Sequence, residues 1–409
     1  MIIRLSKTPA AGLLAFALVL SSGAEAAEWR VAPDVRIGVV YNDDVRLTEG
    51  DREAIDVAGA RTEIGLLAER RTETLLFRVR PRLTTDKYTD NREEEADDQF
   101  LDFSLQRRGL RSQWAIAGNF SREQVYRGGN DPFFFDDPDL ENPDLDDPGR
   151  FDNRRRRTIL RLSPNYSYRL SEQTEIGGRL SYAEVSFRPQ QLGEALDYAD
   201  GRVEGFLERR LSPRSRFRTT LFASRFEVDE IDNLTNSYGL RARYDLEMTE
   251  VHSVFVDAGI QYNKVEAGTN NQADETQTGG LLEVGMRWRW QRTAAQAVAG
   301  RAIQPSGTGF LREVDRIRLT LNHDLSERWY WNVAGLFQTT DALASDAPFN
   351  QRDYYEARAR LGHQLTQAWL VELGYNYRHL DQADRPGAAS SNEVLLSLNY
   401  QPRGRAWSW

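Results

Sequence analysis

Arginine at every second position is the feature of this chain with the most chemistry in it. Arg78, Arg80 and Arg82 alternate along one short stretch; Arg241 with Arg243, Arg287 with Arg289, and Arg358 with Arg360 repeat the spacing, and Arg161 stands in a similar run. Carboxylates keep the same parity, with Glu283 four residues before Arg287, Glu356 two before Arg358, and Glu372 in the next run. A period of two places the members of each run on one face of a strand. Guanidinium groups displayed that way offer planar, multi-donor contacts to carboxylates, phosphates and sugar hydroxyls. Two readings stay open: a charged wall that guides an anionic or sugar-like solute, or a wall whose opposite charges pair across strands.

A second concentration of reactive groups lies in the non-repetitive stretch 125–153. There Asp131, Phe133, Phe134, Phe135, Asp136, Asp137 and Asp139 precede further Asp and Pro residues. The oxygens could hold Ca²⁺, but the spacing and glycine of an EF-hand are absent. The phenylalanines could anchor the stretch inside a lumen with its carboxylates facing the arginines, or the stretch is an exposed acidic loop. No metal and no cofactor is expected elsewhere. Cysteine is missing, which excludes thiolate metal sites and a Cys nucleophile. His252, His323, His363 and His379 are scattered, with no Ser-His-Asp set, no phosphate loop and no dinucleotide motif, so an enzyme is not expected. A net charge of −9 argues against a nucleic-acid partner.

The elements that would carry these residues are strands. The clearest unit runs from Leu325 to Tyr377. Trp329, Trp331, Val333, Gly335 and Phe337 alternate with polar residues, as do Ala357, Ala359 and Leu361, then Trp369, Val371, Leu373, Tyr375 and Tyr377. Short turns of the form Leu-Ser/Thr-x alternate with longer polar loops, the signature of antiparallel hairpins. The same pattern recurs from Val35 to Tyr400, giving eighteen strands, or sixteen if the segment 295–303, where alternation nearly vanishes, is not one. An even count puts both chain ends on one side, as in bacterial outer-membrane barrels.

Arg4 and Lys7, the apolar run Ala10–Leu20 and the small residues Ala24 and Ala26 read as a secretory signal peptide over 1–26, leaving 27–409 as the barrel. No other apolar run approaches the length of a membrane helix, so membrane residence must be through strands. All nine Trp residues fall beside the short turns or at the termini, and many Tyr residues fall toward the long loops. That sorting matches two aromatic girdles at the bilayer interfaces.

Tyr41-Asn42-Asp43-Asp44-Val45 after the first strand resembles the opening of the β-barrel porin 2 group of outer-membrane proteins. The Arg352-Asp353-Tyr354-Tyr355 repeat, the turn before Trp369, and the run Ser391–Tyr400 are similar to its C-terminal pattern. Asp44 stands at the group's usual Asn position, and 401–409 extends past its usual terminal aromatic. The resemblance implies an outer-membrane porin associated with exopolysaccharide or exosortase-type export, and it carries no catalytic residues. The reading from sequence is therefore an all-β, antiparallel up-and-down barrel in the outer membrane. Its expected partners are outer-membrane lipid, the barrel-assembly machinery, and a polysaccharide or small polar solute; a sealed structural or docking barrel is the alternative.

Overall fold

The structure, a computed structural model, describes residues 27–50, 53–124, 155–188, 195–266, 275–343, 351–383, 387–402 and 404–408. In chain order the strands are β1 (Glu28–Asn42), β2 (Val57–Arg71), β3 (Leu75–Tyr88), β4 (Ala96–Arg108), β5 (Ser112–Gln124), β6 (Arg156–Arg169), β7 (Thr174–Arg188), β8 (Tyr198–Ser212), β9 (Ser215–Val228), β10 (Asn233–Glu247), β11 (His252–Glu266), β12 (Glu275–Arg289), β13 (Thr293–Pro305), β14 (Leu311–Asp324), β15 (Trp329–Ala342), β16 (Arg352–Gln364), β17 (Trp369–Gln382), β18 (Ala389–Tyr400) and β19 (Arg405–Ser408). From β1 to β18 each strand pairs antiparallel with its chain neighbours, and β1 also pairs with β18, closing an eighteen-stranded barrel. The short β19 pairs with Glu28–Val31 of β1, beyond the stretch of β1 that pairs with β18.

Local chemistry explains the hairpins. In the short turns a hydroxyl accepts a hydrogen bond from the amide that opens the next strand. Thr72 does so for Leu75 at 3.0 Å, Thr249 for His252 at 3.0 Å, Ser326 for Trp329 at 3.1 Å and Thr366 for Trp369 at 3.2 Å. This is why Ser or Thr recurs there. Pro81 and Pro164 lack an N–H, and beside them the β2–β3 and β6–β7 ladders are interrupted. Residues 293–305 do form a strand, β13. Its alternation is faint because Ala295, Ala297 and Ala299 on one face oppose Ala294, Val298 and Gly300 on the other.

The outward face is apolar and open. Ile37, Val39, Leu221, Ile260, Leu319 and Leu396 are among its exposed residues, Leu221 and Ile260 at more than 60%. Strands of 12–15 residues exceed the roughly 9–11 needed to cross a bilayer. A closed sheet with an apolar outer belt pairs most of its backbone groups strand to strand, as a membrane-spanning barrel must. Trp114, Trp288, Trp290, Trp329, Trp331 and Trp369 mark the short-turn end of the belt, while Tyr238, Tyr262, Tyr355 and Tyr375 mark the other. The protein is an outer-membrane β-barrel, a class whose short turns are periplasmic and whose longer connections are external.

Candidate functional site: the charged inner wall

The residues between the exposed apolar ones face inward, and that face carries the alternating arginines. Most are paired. Arg78 reaches Glu69 at 2.7 Å, Arg80 reaches Asp34 at 3.7 Å, and Arg82 reaches Asp102 at 3.7 Å while lying 4.7 Å over the Phe100 ring. Arg241 pairs with Asp257 at 2.9 Å, Arg243 with Asp245 at 3.2 Å, and Arg358 with Glu356 at 2.7 Å. Arg161 donates to Asn119 at 3.4 Å, and Asn119 donates in turn to Asp102. Glu283 stands across the β11–β12 ladder from Asp257, beside Arg241.

Two knots tie strands that are far apart in sequence. Glu372, buried on β17, accepts from Arg36 of β1 at 3.1 Å, from Tyr330 of β15 at 2.7 Å and from Asn399 of β18, and it lies 3.5 Å from Arg360 of β16. Nearer the outside, Arg61 of β2 holds Asp86 of β3 and Glu393 of β18, each through both carboxylate oxygens. Asp86 is fully buried and also accepts from Tyr88 at 3.0 Å. Charges taken this far from water need the whole partner set; removing one member of such a group costs roughly 3–5 kcal/mol.

A repeated aromatic device supports the wall. Phe206, Phe222 and Phe255 each lie over a glycine directly across the ladder, Gly177, Gly239 and Gly285 respectively, where a β-carbon would overlap the ring. An arginine covers the other face of each ring: Arg218 at 4.6 Å, Arg202 at 3.9 Å and Arg243 at 4.1 Å. Such stacks contribute about 0.5–2 kcal/mol each and hold the guanidiniums flat against the wall. Arg287 has no ion pair among the described residues. With Arg214, Arg216, Glu247 and His252 it lines a cavity of about 420 Å³ at the periplasmic end.

The stretch with Asp131, Phe133, Phe134, Phe135, Asp136, Asp137 and Asp139 lies outside the described residues. Among those described, two other segments turn into the lumen at the outer end, and neither stood out in the sequence. Residues 43–50, in the first connection, fold against the inner face of β15–β18. Leu47, at 1% exposure, packs on Leu336, Tyr354, Leu380 and Ala389. Arg378 donates to the Val45 carbonyl at 3.2 Å, Gln382 donates to Glu49 at 2.7 Å, and Arg46 pairs with Glu94. On the far side, the end of the β13–β14 hairpin bends inward. The Leu196 amide donates to the Gly307 carbonyl at 2.7 Å, and the buried Asn233 amide group donates to the Gly309 carbonyl at 2.6 Å. Leu311 and Leu196 there cover an apolar cluster of Ile159, Val185, Phe187, Tyr198, Phe226 and Val228.

His252, His323 and His363 belong to the short-turn girdle and His379 to the opposite one. His252 meets Trp290 edge-on, His323 lies beside Trp331, His363 is 4.2 Å from Trp329 and His379 is 5.6 Å from Tyr355, ring centre to ring centre. By strand parity they lie on the face of the exposed apolar residues, His252 also at the rim of the periplasmic cavity. No group of three or more acidic or histidine residues arranged to hold a metal occurs among the described residues.

No family model matches the chain, and no curated protein does. The resemblance to the β-barrel porin 2 group therefore rests on strand and turn patterns alone. Among solved structures, the chain is similar to OpdQ of Pseudomonas aeruginosa at 8% identity and a TM-score of 0.45, covering 91% of this chain and 97% of that one. It is likewise similar to OccAB4 of Acinetobacter baumannii (10%, 0.46, 94% and 99%) and to OpdK of P. aeruginosa, solved with vanillate (10%, 0.46, 92% and 99%). Scores this low say nothing about the ligand of the present barrel.

Proposed function

We propose that the barrel is a passive channel for polar solutes bearing carboxylate or hydroxyl groups, and that a polysaccharide or its fragments are what passes. The observation that carries this reading is the inner wall of an eighteen-stranded barrel. Barrels of about this strand number are too wide for their own side chains to fill and leave an aqueous path. Along that path Arg161, Arg241, Arg243, Arg287, Arg358 and Arg360 alternate with Glu283, Glu356 and Glu372, so a solute shedding water meets donors and acceptors at each step. The Arg–Phe stacks add flat, polar-edged surfaces suited to a sugar ring. Asp131 to Asp139, with Phe133 to Phe135, is the candidate constriction between β5 and β6.

The two segments that turn inward favour a second reading, a sealed barrel that anchors a surface-polymer secretion complex. Planar bilayers separate the two. A channel gives discrete conductance steps that change when residues 130–148 are deleted. Silence of both forms, with a periplasmic protein co-purifying, would sink the channel and support the anchor.

A further inference from the structure

One ladder of the barrel stops early. β12 is paired with β11 from Glu275↔Val265 to Trp288↔His252, and β13 is paired with β14 as far as Pro305↔Leu311. Between β12 and β13, however, pairing runs only from Arg289↔Ala294 to Leu282↔Arg301. Residues 275–281 and 302–305 therefore border each other without a ladder. The inward bend of the β13–β14 hairpin accounts for it, because the hairpin end is tied to Leu196 and Asn233 across the mouth.

The seam begins at the outer edge of the bilayer. Across the β10–β11–β12 ladders, Gly280 is level with Ile260, and Thr278 is level with the girdle residue Tyr262, itself paired with Tyr238. The lowest layer of the seam thus falls in the apolar belt and the rest at headgroup level. Unladdered backbone is not tolerated against hydrocarbon, but at the interface polar headgroups can satisfy it. On the inner side Ile303 occupies the space where a β-carbon on Gly279 would sit, with Leu343 beside it, and on the lipid side Gly280 has no side chain to cover the seam. Behind Ile303 the hairpin end leads to the apolar cluster under Leu311.

We propose that the β12–β13 seam is a lateral portal, through which a single-chain amphiphile exchanges between the lumen and the outer leaflet. The alkyl chain slips past Ile303 toward Leu311 and Phe226, while the head group meets the unladdered N–H and C=O groups of both strands. This requires no axial passage, so it stands apart from the channel reading.

The chain contains no cysteine, so a disulfide pair can be placed without background. In G279C/I303C, removal of the Ile303 side chain makes room for the new β-carbon, and oxidation closes the seam. The full barrel, in nanodiscs, is photolabelled with a lysophosphatidylcholine carrying a diazirine in its chain. Labelling of Leu196, Leu311 or Phe226 is expected in the reduced pair, lost on oxidation and regained on reduction, with ion conductance unchanged throughout. Ile303→Ala, which widens the seam without a new bond, is expected to raise the same labelling and decides the matter if the pair does not fold. Labelling confined to outward residues such as Ile260 and Leu282, lumen labelling indifferent to the disulfide or to Ile303→Ala, or a parallel loss of conductance on oxidation would each overturn the portal. Absence of conductance in every form would instead count against the channel alone.

Discussion

Glu372 gathers a guanidinium from β1, another from β16, a phenol from β15 and an amide from β18. Replacing it by Gln removes the charge that all of them surround, and Glu372→Gln is expected to cost about 3–5 kcal/mol, read as a lower urea midpoint for the folded barrel in detergent. An unchanged midpoint would mean that water already satisfies these groups. The glycines under the rings give a second test. Gly239→Val drives a side chain into Phe222 and is expected to cost about 1–3 kcal/mol by overpacking. Gly205→Val on the lipid face, where a β-carbon meets nothing within 4 Å, is expected to be neutral. Equal costs at both positions would refute the ring-over-glycine account. At this scale the spacing of the arginines sets their parity, opposite to that of the exposed apolar residues. It does not show their partners, because Arg36 meets Glu372, and Arg61 meets Glu393, only once the barrel has closed.

Residues 43–50 and the end of the β13–β14 hairpin both fold into the outer mouth. Leu47 adopts a left-handed backbone (φ 54°) that is strained for a branched residue, and its burial against Leu336 and Leu380 offsets that strain. Leu47→Asp is expected to free residues 43–50 from the wall and raise single-channel conductance; an unaltered conductance would place this segment outside the conducting path. Neither this loop nor the bent hairpin was legible in the sequence. A single inserted leucine among acidic residues looks like any exposed loop, and a bend set by Asn233 and Leu196 leaves no local pattern on β13 and β14. The strands were legible, because the lipid belt imposes alternation on nearly every one, β13 being the exception where both faces hold small residues.

For the molecule as a whole, closure depends on β1 meeting two pieces of the chain's other end, β18 and then β19. Ending the chain at Tyr400 leaves the β18 ladder from Val35↔Tyr400 to Asn42↔Glu393 intact. The truncated protein is expected to assemble but to lose its heat-resistant compact form several degrees earlier on gels. Complete failure to assemble would show that 401–409 carries the insertion signal. Strand number and membrane location were readable from the sequence because each strand is an independent count. The two-piece closure was not, because 401–409 holds no alternating run long enough to register as a strand.

That closing ladder also sets the order in which the molecule can form. Every other ladder joins strands adjacent in the chain, and each can zip as soon as its hairpin exists. Residues 28–42 must wait for 393–408, with almost the whole chain as the intervening loop. Until then the first strand to emerge keeps one row of amides and carbonyls open, in the form most prone to pair with a neighbouring molecule. The last strand to arrive therefore governs whether the first is rescued. Any chain cut short before β18 is left as an open sheet, destined for self-association instead of the membrane.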